Sequence, residues 1–300
     1  MQKSDIKEHA LAFITVFIWA LTFLCTKVLM NSFTNLEIIF LRYSLAYLCL
    51  WLIYPKKPRF FGVKDELLMI LASITGMSYY QFMENLSVNY TTPASVSFIT
   101  AMAPLFTAIF STIILKEKLK KETIWGMIIS IIGVGFVTFG DSRILDTGLK
   151  GDLIIFCTVW LWGVYTIIIK ILANKGRKGF EVTRKLFFYS LIELSIPFAF
   201  QADFEKTEFT TEAILGIAFL GIFASAVCFY TWNRATERLG PVTTAKYLFL
   251  MPAITLIAQV IVKMSKLSMP ALFGMALILL GLYCSGRKQA EMTSDTKQDV

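Results

Sequence analysis

Two clusters of aromatic and amide side chains carry most of the solute-binding chemistry this sequence offers. They are Tyr79-Tyr80-Gln81 with Glu84-Asn85, and Phe229-Tyr230-Thr231-Trp232-Asn233, and both lie in long apolar stretches. Tyr80 and Glu84 are four residues apart and share a helical face, as do Gln81 and Asn85. Asn85 and Asn233 hold matching places in two similar segments. Amides and phenols facing a wet cavity would donate to, or accept from, a polar solute. Near a span end the same residue types would instead anchor a helix at the membrane interface. Trp19 and Trp162 form a second matched pair, with Thr22 and Tyr165 each three residues further on the same face. Such aromatics would gate a pathway, stack on a planar or cationic solute, or pack two halves together.

Catalytic chemistry is poorly supplied. The one histidine, His9, stands at the entrance of the first apolar segment. No His-Glu-x-x-His, paired aspartate or Walker loop is present, so neither metal-assisted hydrolysis nor direct ATP drive has its residues here. Cys25, Cys49, Cys157, Cys228 and Cys284 all fall in apolar segments without Cys-x-x-Cys spacing, which argues against disulfides and a zinc site. No cofactor is implied. The net charge of +8 sits between apolar segments rather than in a stripe, which argues against nucleic acid as a partner.

Positioning these residues requires a membrane. Hydrophobic residues make up 56% of the chain and charged ones 17%, where soluble domains have roughly 45–50% and 25%. Mean hydropathy is +0.64. Backbone groups in hydrocarbon must bond within their own helix, so the expected fold is an all-α integral membrane protein with the lipid bilayer as its partner. The patterning predicts ten transmembrane helices over 10–30, 35–54, 66–88, 93–115, 122–140, 151–172, 185–202, 211–235, 241–263 and 269–286. Pro55-Lys56-Lys57-Pro58 stops the second, and Thr92-Pro93 and Gly240-Pro241 open the fourth and ninth. Glu193 and Pro197 interrupt the seventh. The first segment follows Asp5 and Glu8 without a small-x-small cleavage site and reads as a permanent span.

The chain repeats itself. Pro93, Pro104, Thr107, Lys118, Gly126 and Gly133 align, 148 residues on, with Pro241, Pro252, Thr255, Lys266, Gly274 and Gly281. An earlier match at an offset of 143 joins Val16, Trp19, Lys27 and Leu29 to Val159, Trp162, Lys170 and Leu172. Residues 1–145 are expected to form the first five-span repeat and 146–288 the second, with 289–300 a disordered cytoplasmic tail. Five spans is an odd number, so the second repeat enters the membrane inverted. Two inverted halves place a solute site near the midplane and imply a carrier.

Pro104 and Pro252 remove a backbone donor at equivalent depth in spans four and nine and are candidate hinges. Counting Lys and Arg by side gives 20 with an inside N-terminus against 5 outside, which places both termini in the cytoplasm. Charges within the spans cost about 2.5–3.5 kcal/mol each on insertion scales. Arg42 and Glu84 lie at similar depth, and a structural ion pair between them is expected. Lys27 and Lys170 match near span ends, where snorkelling would explain both.

Phe17-Ile18-Trp19, Phe40-Leu41-Arg42-Tyr43, Pro104 after a small-residue run, and Leu115-Lys116-Glu117-Lys118-Leu119 before Gly126 resemble the drug/metabolite transporter superfamily, specifically its EamA-type carriers. The resemblance covers about residues 10–286. Ser265 departs from it, standing where the second copy would carry glutamate. The resemblance implies a central cavity lined by spans one, three, four, six, eight and nine, with two, five, seven and ten outside. On that basis Lys246 is expected to face the cavity and hold a substrate carboxylate, with snorkelling as the alternative. Glu193, on a peripheral span, then suits a helix contact or a homodimer better than proton coupling. The substrate-binding set is therefore Trp19, Tyr79, Tyr80, Glu84, Asn85, Trp162, Tyr165, Tyr230, Asn233 and Lys246. The family implies transport of a small-molecule substrate such as an amino acid, with efflux preferred. An uptake carrier for a nucleoside or another metabolite, an intramembrane enzyme and a sensor are the other readings.

Overall fold

The computed structural model describes residues 3–139, 148–201, 209–264 and 266–286. Ser265 and the tail 289–300 lie outside them. Among the described residues the fold is helical with no strand, in ten successive helices: α1 (Lys3–Leu29), α2 (Asn35–Ile53), α3 (63–90), α4 (Pro93–Leu115), α5 (Lys121–Phe139), α6 (Leu149–Asn174), α7 (Gly179–Gln201), α8 (Thr211–Leu239), α9 (Pro241–Ile261) and α10 (Met269–Gly286). Six of them (α1, α2, α4, α6, α8 and α9) are long and apolar enough to cross a membrane by length and composition, and Met269–Ser285 is a shorter apolar helix. Phe200, Ile196, Leu52 and Trp125 project outward and expose most of their surface, as a lipid-facing wall requires.

The starts of the helices are set by local chemistry. Thr34 and Glu37 form a reciprocal capping box on α2. The Thr92 hydroxyl accepts from Ser95 N–H ahead of Pro93, and Thr210 does the same for Ala213. Gly240, at φ +87°, ends α8 by donating to Thr236 O and opens α9 by accepting from Thr244 N–H, so one residue with a conformation open to glycine serves as the whole turn.

Contacts at the two ends fix the direction of each helix. At one end, called basal here, the start of α1 meets the end of α8 through Glu8 and Arg234 (3.0 Å) and the start of α9 through His9 and Tyr247 (2.8 Å). Asp65 at the start of α3 pairs there with Lys175 and Arg177 after α6, at 2.8 and 3.1 Å. At the far end, Thr91 after α3 donates to Asp152 at the start of α6 (2.7 Å). Helix α1 therefore leaves the basal end and α6 arrives at it. Helix α1 packs on α8 and α9, α6 packs on α3 and α4, α2 packs on α7, and α5 packs on α10. Exchanging α1–α5 with α6–α10 maps this pattern onto itself.

Helices α5 and α10 approach so closely that glycine is required. A Cβ on Gly133 would stand 2.6 Å from Gly274 O, and one on Gly274 would stand 2.4 Å from Gly133 O. Small residues at such crossings let backbones touch where lipid supplies no hydrophobic drive. Gly133→Leu is expected to destabilise the protein by about 1–3 kcal/mol through overpacking, read as a lower midpoint of unfolding in detergent.

Two expectations are corrected by the structure, the start of the seventh helix and its interruption. Helix α7 begins at Gly179, not 185, and runs through Pro197. Its early start brings Arg184 and Lys185 into the fold as buried anchors: Arg184 donates to Tyr54 O and Lys56 O, and Lys185 pairs with Glu66. Glu193 does not break the helix because Ser73 and Ser78 donate to its carboxylate from α3. Lys27 and Lys170 have acceptors of their own near the span ends. Lys27 Nζ donates to Val88 O (2.8 Å) and Lys170 Nζ to Glu237 O (3.1 Å), so each caps the last turn of a neighbouring helix, where a cation opposes the negative end of the dipole. Lys170→Met is expected to cost up to about 1–2 kcal/mol, with faster hydrogen exchange confined to the end of α8.

Candidate functional site

The site begins with helices that do not continue regularly. In α4, regular helix stops at Thr100, and Met102 N–H bonds back to Ile99 O and Leu105 N–H to Met102 O, both three residues away, before helix resumes at Ala103. In α9, residues Lys246–Leu250 form a 3₁₀ turn before helix resumes at Met251. Pro104 and Pro252 stand in the first turn of the resumed helices. Neither can donate to the carbonyl four residues back, at Thr100 and Leu248, and both of those residues line the cavity described next. Helices α3 and α8 are also irregular, with wide π turns at Ile74–Ser78 and Phe219–Val227. Interrupted helices at membrane depth are tolerated where they border a cavity or protein.

These four helices, with α1, α2 and α6, line a cavity of about 30 Å³. That volume holds a water molecule or two and nothing larger, so the site is contracted. Its walls are Trp19, Thr22 and Phe23 from α1, Arg42 from α2, Tyr80, Gln81 and Glu84 from α3, and Thr100 from α4. Trp162 from α6, Phe229 from α8, and Leu248 and Met251 from α9 complete them. The aromatic rings form one cluster. Trp19 meets Trp162 edge to face at 5.2 Å and 88°, and Trp232 at 5.1 Å. Trp162 lies 5.3 Å from Tyr80 and 5.1 Å from Tyr165. Trp19 Nε1 donates to Ala224 O in the π turn of α8 (2.8 Å), whereas Trp162 Nε1 and Trp232 Nε1 are buried without a partner.

Two charges border the cavity without meeting. Arg42 is 2% exposed, and among the described residues its only hydrogen bond runs from Nε to Ser225 Oγ (2.9 Å). Glu84 accepts from Gln81 Nε2 (2.8 Å), one turn back on its own helix. The expected ion pair between Arg42 and Glu84 is not formed, because each is tethered to a different neighbour. Helix α2 is likewise not wholly peripheral, since Arg42 reaches inward from it.

On the basal side the structure is closed. The Tyr165 hydroxyl donates to Asn233 Oδ1 (2.6 Å), and Asn233 Nδ2 donates to Thr183 Oγ1 (3.1 Å). A Cβ on Gly76 would fall 2.2 Å from the Tyr165 ring, so that glycine makes room for the seal. The repeat places Thr22 opposite Tyr165 and Asn85 opposite Asn233. Asn85 Oδ1 accepts from Gln81 Nε2 (3.1 Å), and its Nδ2 is buried with no partner. The cavity lies on the side where the repeat carries a short threonine instead of a tyrosine.

Of the residues singled out in the sequence, Trp19, Tyr80, Glu84 and Trp162 line the cavity. Tyr165, Asn233 and Asn85 lie next to it in polar contacts of their own. Three stand elsewhere. Tyr79 is 46% exposed, one helical step (about 100°) away from Tyr80. Tyr230 stacks on Phe180 at 3.9 Å on the outer side of α8. Lys246 is buried but turns away from the cavity, and its Nζ donates to Ser285 O in α10 (3.2 Å). The 3₁₀ turn that starts at Lys246 rotates the chain there, which ordinary helical spacing does not reveal.

Comparisons with known proteins agree with this architecture. The profile described as "EamA-like transporter family" matches residues 6–139 and again 149–287. An "Uncharacterized transporter" of Archaeoglobus fulgidus is 24% identical over 293 residues, which is 94% of this chain and 98% of the relative. A protein of Streptantibioticus cattleyicolor named "Probable terminal-alkyne amino-acid exporter" is 23% identical, with 92% of each chain covered. One crystal structure superposes with a TM-score of 0.72 over 93% of this chain and 96% of its own, at 17% identity, which is a likeness of fold.

Proposed function

The chain belongs to the EamA-like transporter family, and from that premise we propose that it is a secondary carrier working by alternating access of two inverted halves. Its cargo is a small organic metabolite, an amino acid or a related solute, and export is preferred over uptake. The observation that carries this reading is the buried cavity at the junction of α1, α3 and α4 with α6, α8 and α9, bordered by breaks at matching places in α4 and α9. A midplane cavity flanked by discontinuous helices is how carriers bind cargo and rock around it. The named amino-acid exporter among the relatives supports the solute class and the direction. Pro104 and Pro252 serve as the hinges.

The chain is a multi-pass membrane protein. We place it in the cell membrane with both termini cytoplasmic, on the excess of Lys and Arg at that face. Glu193 already holds Ser73 and Ser78 within one subunit, so a homodimer does not need it. Purified protein in liposomes preloaded with unlabelled amino acids is expected to show saturable counterflow of the labelled solute. Flux no greater than in empty liposomes across amino acids, nucleosides and organic cations would reject the carrier.

A further inference from the structure

We propose that the cavity recognises its cargo as a zwitterion, with the Arg42 guanidinium holding a carboxylate and the Glu84 carboxylate holding an ammonium group. This rests on the carrier reading above and names the chemistry of its cargo: an α-amino acid with an apolar side chain.

Two opposite charges in one buried cavity normally fall together, because attraction grows as the dielectric constant drops. Here they do not. The π turn of α8 supplies Ser225, which fixes Arg42 through Nε and leaves the two terminal nitrogens, the fork that matches a carboxylate, without a hydrogen bond among the described residues. Gln81 holds Glu84 on its own helix. A buried guanidinium without an anion is costly, and so is a buried carboxylate bonded only to neutral groups. A solute of one charge would satisfy one of them and leave the other stranded. A neutral solute would satisfy neither. A solute bearing both charged groups on one carbon completes both at once. The space beside them is walled by Trp19, Trp162 and Phe229, whose faces suit an apolar side chain, and Trp162 Nε1 is an unused donor next to it. At about 30 Å³ the cavity must widen to admit such a solute, so binding is coupled to movement of the walls.

The test uses the full-length purified protein in detergent and follows thermal unfolding. L-leucine and L-phenylalanine are compared with 3-methylbutylamine and phenethylamine, which lack the carboxylate, and with 4-methylpentanoate and 3-phenylpropanoate, which lack the ammonium. At least one amino acid is expected to raise the midpoint saturably, with both of its analogues at least about tenfold weaker. Arg42→Gln and, independently, Glu84→Gln are expected to remove that response. The second keeps the size of the side chain and its capacity to accept from Gln81, so it covers the case where the first does not fold. Analogues as effective as the amino acids, or no response to any of the six, overturn the proposal. Liposome counterflow separates it from the carrier reading. Saturable flux of an amine or acid without amino-acid flux sinks the zwitterion and leaves the carrier standing. Zwitterion binding that depends on Arg42 and Glu84, with no flux of any solute, sinks the carrier alone.

Discussion

Lys185→Met is expected to lower stability by about 3–5 kcal/mol, the largest loss from any single side chain outside the cavity. Lys185 and Glu66 form an ion pair with side chains only 7% and 8% exposed. Lys185 also donates to Arg59 O (2.7 Å), and Glu66 accepts from Phe61 N–H (2.9 Å) and from Tyr189. The pair therefore ties the loop after α2, the start of α3 and the first turns of α7 into one latch at the basal end. Removing the cation leaves a buried carboxylate with neutral partners only. Replacing both, as Lys185→Met with Glu66→Leu, is expected to recover much of the loss, because the desolvation of two charges disappears together. Denaturant titration in mixed micelles, followed by tryptophan fluorescence, measures both. A loss under about 1 kcal/mol for the single variant would mean that water reaches the pair and that it behaves as a surface contact.

Lys185 also shows what hydropathy can and cannot report. The apolar windows located α1, α2, α4, α6, α8 and α9 closely, because burial in hydrocarbon is encoded by composition alone. The same rule misplaced the start of α7, since Arg184 and Lys185 look like loop residues until Tyr54 O, Lys56 O and Glu66 are brought to them from 119 to 130 residues away. Lys27 and Lys170 were visible as a matched pair, but their acceptors, Val88 O and Glu237 O, are backbone atoms that no pattern of side chains can announce.

The cavity was partly legible for a related reason. Trp19 with Trp162 and Tyr80 with Glu84 stood out because the repeat and helical spacing both marked them. Tyr79 and Tyr230 shared their composition but not their direction, and composition carries no azimuth. Lys246 failed at the 3₁₀ turn, where three residues per turn replace 3.6. Arg42 was noticed for its charge and placed on a peripheral helix, but the length of an arginine side chain carries its head group inward from there. The π turns had no clear sequence signal beyond glycines at Gly76 and Gly221, yet they supply Ser225 and Ala224 O to the site.

Tyr165→Phe is expected to open the basal side of the protein. The substitution keeps the ring against Trp162 and Gly76 and deletes the hydroxyl that bonds Asn233 Oδ1 at 2.6 Å. Leaving a buried amide oxygen unsatisfied costs roughly 1–3 kcal/mol, which at 1.4 kcal/mol per tenfold shifts a two-state equilibrium by about five- to a hundredfold. Thr236 lies one turn beyond Asn233 toward the basal end and is fully buried. A cysteine placed there, with the five native cysteines replaced, reports the change as its rate of reaction with a membrane-impermeant maleimide. That rate is expected to rise by the same factor in the Phe variant and to fall back when Asn233→Leu removes the stranded amide as well. The repeat supplies the reciprocal experiment. Thr22 stands where Tyr165 stands in the other half and lines the cavity, and Asn85, the counterpart of Asn233, has an Nδ2 without a partner. Thr22→Tyr adds a ring to a space of about 30 Å³ and offers Asn85 the phenol it lacks. Transport is expected to stop in that variant while the protein remains folded, because the far side would then be sealed as the basal side already is. Normal flux in Thr22→Tyr would show that cargo does not pass between α1 and α3.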